Sequence, residues 1–236
     1  MIEIKNITKH FGKLRVLDNL NVQLSAGECV ALIGPNGCGK TTLIKSVLGM
    51  VLPEKGEILF EGKPIRNKED YRKDIGYMPQ IGRYPENMSI GQVLDMIQSI
   101  RNPKESLDME LYEQFEIEKM LHKKMRTLSG GTTQKVSATL AFMFNPKVLI
   151  LDEPTAGLDP IAAEILKEKI IKARQKGCLI LITSHLLSEL ESLVGHVIFM
   201  EEGKILLHQD VNQLKSETGM ESIAKSIVHL LKAGVL

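Results

Sequence analysis

The sequence predicts an α/β fold: a mostly parallel sheet among helices, an antiparallel β-subdomain at the N-terminal end, and an inserted α-helical subdomain. Three observations predict it. The apolar run 29–33 feeds a glycine-rich turn, Gly34-Pro35-Asn36-Gly37-Cys38-Gly39-Lys40-Thr41-Thr42, after which Leu43, Ile44, Val47 and Leu48 form a helical stripe. A second apolar run, 147–151, ends in Asp152 and Glu153, as expected of a strand covered on both faces. From 89 to about 127 the composition shifts toward Glu, Lys, Met and Leu, which reads as mainly helical, broken near Pro103.

Taken in order, residues 2–7 and 20–24 alternate apolar and polar like half-buried strands, with a turn over 9–13. Residues 57–61, between Gly56 and Gly62, read as another short strand of the antiparallel subdomain. Residues 75–79 form a strand-like run ending at Gln80, and a turn-rich stretch follows over 82–87. Ser89 and Gln92 have capping-box spacing ahead of Val93, Met96, Ile97 and Ile100. A helix should start at Ser129-Gly130-Gly131 and run through Phe142. Asp159 can cap the next helix, with Pro160 in its first turn. That helix should carry Ala162, Leu166, Ile170 and Ala173 on one face and a Glu168–Lys172 pair on the other. Residues 178–183 form a buried strand, 197–201 and 204–208 a closing hairpin, and the tail one or two modest helices. The expected organisation is a single domain: a core of 1–80 and 136–215, a helical subdomain over 81–135, and a helical tail over 216–236.

Composition narrows the function. With 236 residues the chain can bury a full core. Thirty basic residues against 29 acidic give a net charge of +1, so nothing asks for a nucleic acid partner. Tryptophan is absent and aromatics are scarce, which argues against a base-stacking surface. Cys29, Cys38 and Cys178 lack metal-ligand spacing and suit a reducing compartment. The start of the chain does not read as a signal peptide, and no apolar run approaches the ~18 residues of a membrane span. The expectation is a soluble cytoplasmic protein that reaches the membrane only through a partner.

The chemistry sits in the turn and the acid pair. Glycines let backbone N–H groups close on phosphate, and the helix after them adds its positive end. In a Gly-x-x-x-x-Gly-Lys-Thr pattern, Lys40 would reach the β- and γ-phosphates and the Thr41 hydroxyl would sit on Mg²⁺. Asp152 would organise that Mg²⁺ through its water shell, and Glu153 would orient or deprotonate a water. Ser129-Gly130-Gly131 offers a hydroxyl and N–H donors to an anion, or is simply a flexible helix cap. Phe11 reads equally as an adenine-stacking ring or a packing residue. His185, at a strand end, is structural or a γ-phosphate donor.

Together these residues resemble the ATP-binding cassette (ABC) ATPase domain, a P-loop NTPase with a RecA-like core. The likeness spans about residues 2–215. It rests on six ordered motifs: the loop 34–41, Gln80, the peptide 128–132, the strand 148–153, Gly157-Leu158-Asp159, and His185. The resemblance implies an ATPase subunit that drives a separate permease, using ATP and Mg²⁺. It makes Phe11 the adenine partner with Val16 beside it, and residues 34–42 the ATP cradle. Thr41 and Gln80, with Asp152 through water, hold the metal; Glu153 and His185 are catalytic. It further implies a head-to-tail dimer, homo- or heteromeric, in which Ser129, Gly130 and Gly131 close on the partner's ATP and Asp159 belongs to the loop beside them. A permease helix would dock near 82–90, placing the protein peripherally on the cytoplasmic face. Cys38 and Thr132 depart from the usual residues of their motifs. The alternatives are a non-transport ABC ATPase working on nucleic acid or ribosomes, and an ATP-gated module without turnover.

Overall fold

The computed structural model describes residues 1–104, 106–184 and 187–235. Two compact units divide the chain: Met1–Arg72 with Leu179–Leu236, and Lys73–Cys178.

The first unit begins with a hairpin, β1 (Ile2–Phe11) and β2 (Leu14–Leu24). Pairing Ile2 with Leu24, Ile4 with Val22 and Ile7 with Leu20 puts six aliphatic side chains on one face. All six are buried. The strand runs further than expected: β1 continues through residues 9–11 and the turn shrinks to Gly12-Lys13, because a two-residue connection lets the ladder close at Phe11 and Leu14. Strand β3 (Cys29–Ile33) is buried along its whole length. It leads to helix α1 (Lys40–Val47). Strands β4 (Lys55–Phe60) and β5 (Lys63–Pro64) complete an antiparallel sheet of order β2-β1-β4-β5.

The second unit pairs β6 (Ile75–Met78) in parallel with β7 (Val148–Asp152), Met78 facing Leu151. Between them lies α2 (Ile90–Arg101), started by the expected capping box of Ser89 and Gln92. Its last residue, Arg101, donates to the carbonyls of Lys73 and Ile75 and stacks on Phe144. Helix ends here. Asn102 turns left-handed at φ 41° and Pro103 cannot continue the ladder. The stretch expected to be mainly helical from 89 to 127 is therefore helical as far as Arg101, and beyond the break at Pro103 its described residues hold the five-residue α3 (Glu110–Gln114) and short 3₁₀ turns.

Helix α4 (Gly130–Phe142) is buried from Val136 onward, with Gln134 buried as well. Helix α5 (Pro160–Gln175) buries Ala162, Leu166 and Ile170 as expected; Ala173 is only half-buried. Lys169, which the sequence analysis does not single out, is buried too. Its ammonium meets Asp108 at 2.5 Å and Glu110 at 2.7 Å, and Lys172 donates to Glu110 at 2.6 Å. Lys172 thus finds its hydrogen-bond partner on α3 rather than one turn away at Glu168. These charges anchor the non-helical segment around residue 108 to α5.

The first unit resumes with β8 (Leu179–Thr183), parallel to β3. After a short helix, α6 (Leu187–Leu190), β9 (His196–Glu201) pairs in parallel on the other side of β3, and β10 (Lys204–Asp210) folds back on β9. Two helices close the chain: α7 (Val211–Thr218), capped by Asp210, and α8 (Ile223–Lys232), capped by Ser222. Among the described residues no helix is long and apolar enough to cross a membrane.

Candidate functional site

The glycine-rich loop joins β3 to α1, and its shape is held mainly by backbone groups. Gly34 has φ 147°, and a Cβ there would lie 2.0 Å from the Met200 carbonyl oxygen on β9. Gly39 has φ 110°, and a Cβ there would lie 2.6 Å from the Val16 carbonyl oxygen on β2. No side chain fits at either place. From the β9–β10 turn, Gly203 N–H donates to the Cys38 carbonyl at 3.0 Å, and Gly203 in turn accepts from Asp18 N–H at 2.8 Å. Val16 therefore contributes a wall through its backbone. Gly203 is a support that the sequence reading missed; the Glu202-Gly203 turn was visible, but not its contact with the loop.

At the loop's exit Lys40 opens α1 without a side-chain cap, leaving the first-turn N–H groups for an anion. The Lys40 ammonium curls over the loop to the carbonyls of Gly34 (2.7 Å) and Pro35 (3.0 Å) and lies 3.7 Å from the Cys38 sulfur. Pro35, Asn36, Gly37 and Thr41 are exposed, Thr42 is half-buried, and Cys38 is buried. Phe11, at the tip of the first hairpin, is 52 % exposed, and the Lys9 ammonium sits 5.4 Å from its ring centroid. It is not a core residue in this fold.

In the second unit the parallel register of β6 and β7 sends Gln80 and the acid pair out of the same strand ends. Asp152 closes β7, and its charge adds to burial in raising the Tyr77 phenol above its ordinary range. Glu153 has φ 52°, a left-handed backbone, immediately before Pro154, whose ring disfavours such a neighbour. Strain of this kind costs about 1–3 kcal/mol and gathers at working sites. Nothing in the residues around Glu153 announces it.

Helix α4 organises the other motif residues of this unit. Ser129 caps it, accepting from Thr132 N–H, and its hydroxyl also lies 2.9 Å from the Thr132 hydroxyl. Thr132 thus partners the very hydroxyl expected to bind an anion. Gly130 is exposed. Gly131 packs on the neighbouring loop, where a Cβ would come within 2.5 Å of the Gly157 carbonyl oxygen. One turn on, Lys135 donates to Asp159 at 2.7 Å, and Asp159 accepts from Ala162 N–H as the α5 cap. That ammonium first, and the N–H second, hold the Asp159 carboxyl below its usual range. On the next side of α4, Gln134 donates to the Gln80 carbonyl and Ser137 meets the Tyr84 hydroxyl.

The donors expected for Mg²⁺ are a hydroxyl (Thr41), an amide (Gln80) and a carboxylate (Asp152), all oxygen, which suits that hard cation. Among the described residues no cluster of three or more His, Cys, Asp or Glu is placed to bind a metal. His185 lies outside the described residues.

Three comparisons bear on this arrangement. The sequence model of the ABC transporter family matches residues 17–156. The lantibiotic transport ATP-binding protein SrtF of Streptococcus pyogenes is 35 % identical, over 89 % of this chain and 91 % of its own. The Nod factor export ATP-binding protein I of Burkholderia lata is 32 % identical, over 94 % of this chain and 75 % of its own. A solved structure of the ATP-binding subunit of an ABC transporter superposes with a TM-score of 0.89 at 27 % identity, covering 98 % of this chain and 99 % of that one.

Proposed function

The chain belongs to the ABC transporter family, and from that membership we propose that it is the ATP-hydrolysing subunit of a transporter whose permease is a separate chain. The observation that carries this is the phosphate loop: glycines pressed against the carbonyls of Val16 and Met200, an uncapped helix start at Lys40, and an ammonium folded over the cradle.

The roles of individual residues follow from their chemistry. Backbone N–H groups of 37–42 bind the β- and γ-phosphate oxygens, and Lys40 moves from carbonyl to phosphate as the nucleotide enters. Phe11 offers an exposed ring to the adenine, with Val16 alongside. Thr41 and Gln80, with Asp152 through water, hold Mg²⁺, which supplies charge neutralisation on the triphosphate when bound. Water attacks the γ-phosphorus, and the bond to the β–γ bridging oxygen breaks. Glu153 polarises that water and takes up its proton, and His185 would steady the γ-phosphate. Two such chains pair head to tail, so that Ser129, Gly130 and Gly131 of one seal the nucleotide of the other, with Asp159 in the adjoining loop. The exposed Arg83, Pro85, Glu86 and Asn87 offer the permease a docking place within 82–90. The protein then works at the cytoplasmic face of the membrane.

The tests are direct. Lys40→Ala should abolish binding of a fluorescent ATP analogue; unchanged affinity would contradict the phosphate-loop reading. Glu153→Gln should keep ATP binding, lose hydrolysis by roughly 10²-fold or more, and accumulate as an ATP-bound dimer in size-exclusion chromatography with light scattering. Hydrolysis at the wild-type rate would remove Glu153 from the mechanism.

A further inference from the structure

We propose that Gln134 is a positioning residue for ATP hydrolysis, acting through the loop that carries Gln80. Three observations on α4 carry it. First, the Gln134 side chain is 5 % exposed, its amide N–H donates to the Gln80 carbonyl at 3.2 Å, and its Oε1 has no hydrogen-bond partner among the described residues. A buried acceptor without a partner is costly, and an apolar residue would avoid it. Reversing the amide does not help, because two carbonyl oxygens would then face each other. What the amide supplies is a donor on the backbone of Gln80.

Second, one turn along the same helix the Ser137 hydroxyl meets the Tyr84 hydroxyl at 2.9 Å, so the loop is held at both ends. Third, the span between those ends lies directly on the helix. A Cβ at Gly82 would come 2.5 Å from Ser137 Oγ and 3.2 Å from Thr133 Cγ2. The side chain of Gln80, meanwhile, is exposed and free of the strap. Backbone and side chain are thus separated: α4 fixes where Gln80 stands and leaves its amide available. The same helix carries the Ser129 cap and, through Lys135, the link to Asp159. A shift of α4 would therefore move Gln80, Ser129 and Asp159 together.

The inference rests on the proposed metal-holding role of Gln80, and the experiment separates the two. Steady-state hydrolysis and ATP affinity are measured for Gln80→Ala, Gln134→Leu and the double variant. Gln134→Leu should lower kcat about tenfold, as expected for a catalytic group displaced by a fraction of an ångström, with ATP affinity within twofold of wild type. In the Gln80→Ala background the same substitution should cost less than twofold, since there is no side chain left to position. A purely structural role would give equal losses in both backgrounds, and that result overturns the proposal. An impaired Gln80→Ala beside an unimpaired Gln134→Leu removes the strap alone. Wild-type turnover in Gln80→Ala removes the reading of Gln80 and the strap's role with it. Tyr84→Phe, which deletes one hydroxyl at the far end, gives the same pattern at smaller amplitude and serves if Gln134→Leu does not fold; wild-type kcat in Tyr84→Phe would then count against the strap.

Discussion

The phosphate loop and the loops around α4 are held in opposite ways. In the first unit the contacts are mainly backbone to backbone, Gly203 N–H on Cys38 and glycines against the carbonyls of Met200 and Val16, with the Lys40 ammonium on two carbonyls of the loop. In the second unit the corresponding work falls to side chains: Gln134 and Ser137 on the loop after β6, Lys135 on Asp159, and Lys169 on Asp108 and Glu110. Backbone contacts have no protonation state and few alternative geometries. Side-chain straps can release, and charged ones respond to pH and salt. Under the proposed function, the difference suits a rigid cradle for a triphosphate and loops that would move as a dimer opens and closes.

The sharpest way to break this contrast is Gly34→Ala. An alanine Cβ has nowhere to go 2.0 Å from a backbone oxygen, so loop or β9 must shift. We expect a stability loss of about 3 kcal/mol or more, and at least a hundredfold weaker binding of a fluorescent ATP analogue. A variant that melts and binds like wild type would show that the loop is not pinned as described.

Next in size is Lys169→Met, which leaves Asp108 and Glu110 facing a buried apolar stem. Removing one member of a buried ion cluster costs about 3 kcal/mol, readable as a lower urea midpoint. The same cluster sets an acid limit. Hydrogen bonds from Lys169 and then Lys172 depress Glu110 from 4.5 to about 2. A depressed carboxylate stabilises the fold above its unfolded pKa and loses that contribution as pH falls through the folded one. Wild type should therefore lose stability between pH 4.5 and about 2, with the loss concentrated in this unit. In Glu110→Gln the slope over that window should flatten; an unchanged slope would mean that other carboxylates dominate.

The same contrast explains what the sequence disclosed. The phosphate loop was legible because its geometry demands glycine at fixed spacings. The fold class followed from the apolar runs of β3 and β7, from the alternation in β1 and at the end of β2, and from the glycine-bounded run of β4. Ser89 and Asp159 announced their helices because a cap is a local event between near neighbours. What stayed hidden was non-local. Gly203 supports Cys38 across 165 positions of chain (203 − 38), and nothing near either residue records it. Lys169 falls on the same face of α5 as Ala162, Leu166 and Ile170, but the carboxylates that satisfy its ammonium there, Asp108 and Glu110, come from about 60 positions earlier in the chain. Gln134 is one polar residue among several in the first turns of α4, and its contact with Gln80 spans 54 positions. Glu153 was found for its carboxylate, while its left-handed backbone depends on the chain that follows β7.

The smallest effect is expected at Lys135→Met, which tests whether an exposed strap matters. The pair with Asp159 lies open to solvent, where ion pairs contribute little and only high salt, with a screening length of about 3 Å at 1 M, reaches them. Thermal and urea midpoints should stay close to wild type. The carboxyl itself should report the change, because its two largest supports are separable. The Lys135 ammonium is the larger and vanishes in the variant; the Ala162 N–H is the smaller and remains. Followed by carboxyl carbon NMR across a pH titration, Asp159 should titrate higher in the variant yet still below an ordinary aspartate. High salt should move the wild-type value toward that of the variant and leave the variant nearly unmoved. If removing Lys135 left the titration where it was, the helix-cap hydrogen bond alone would hold Asp159, and α4 would have one handle fewer on that loop.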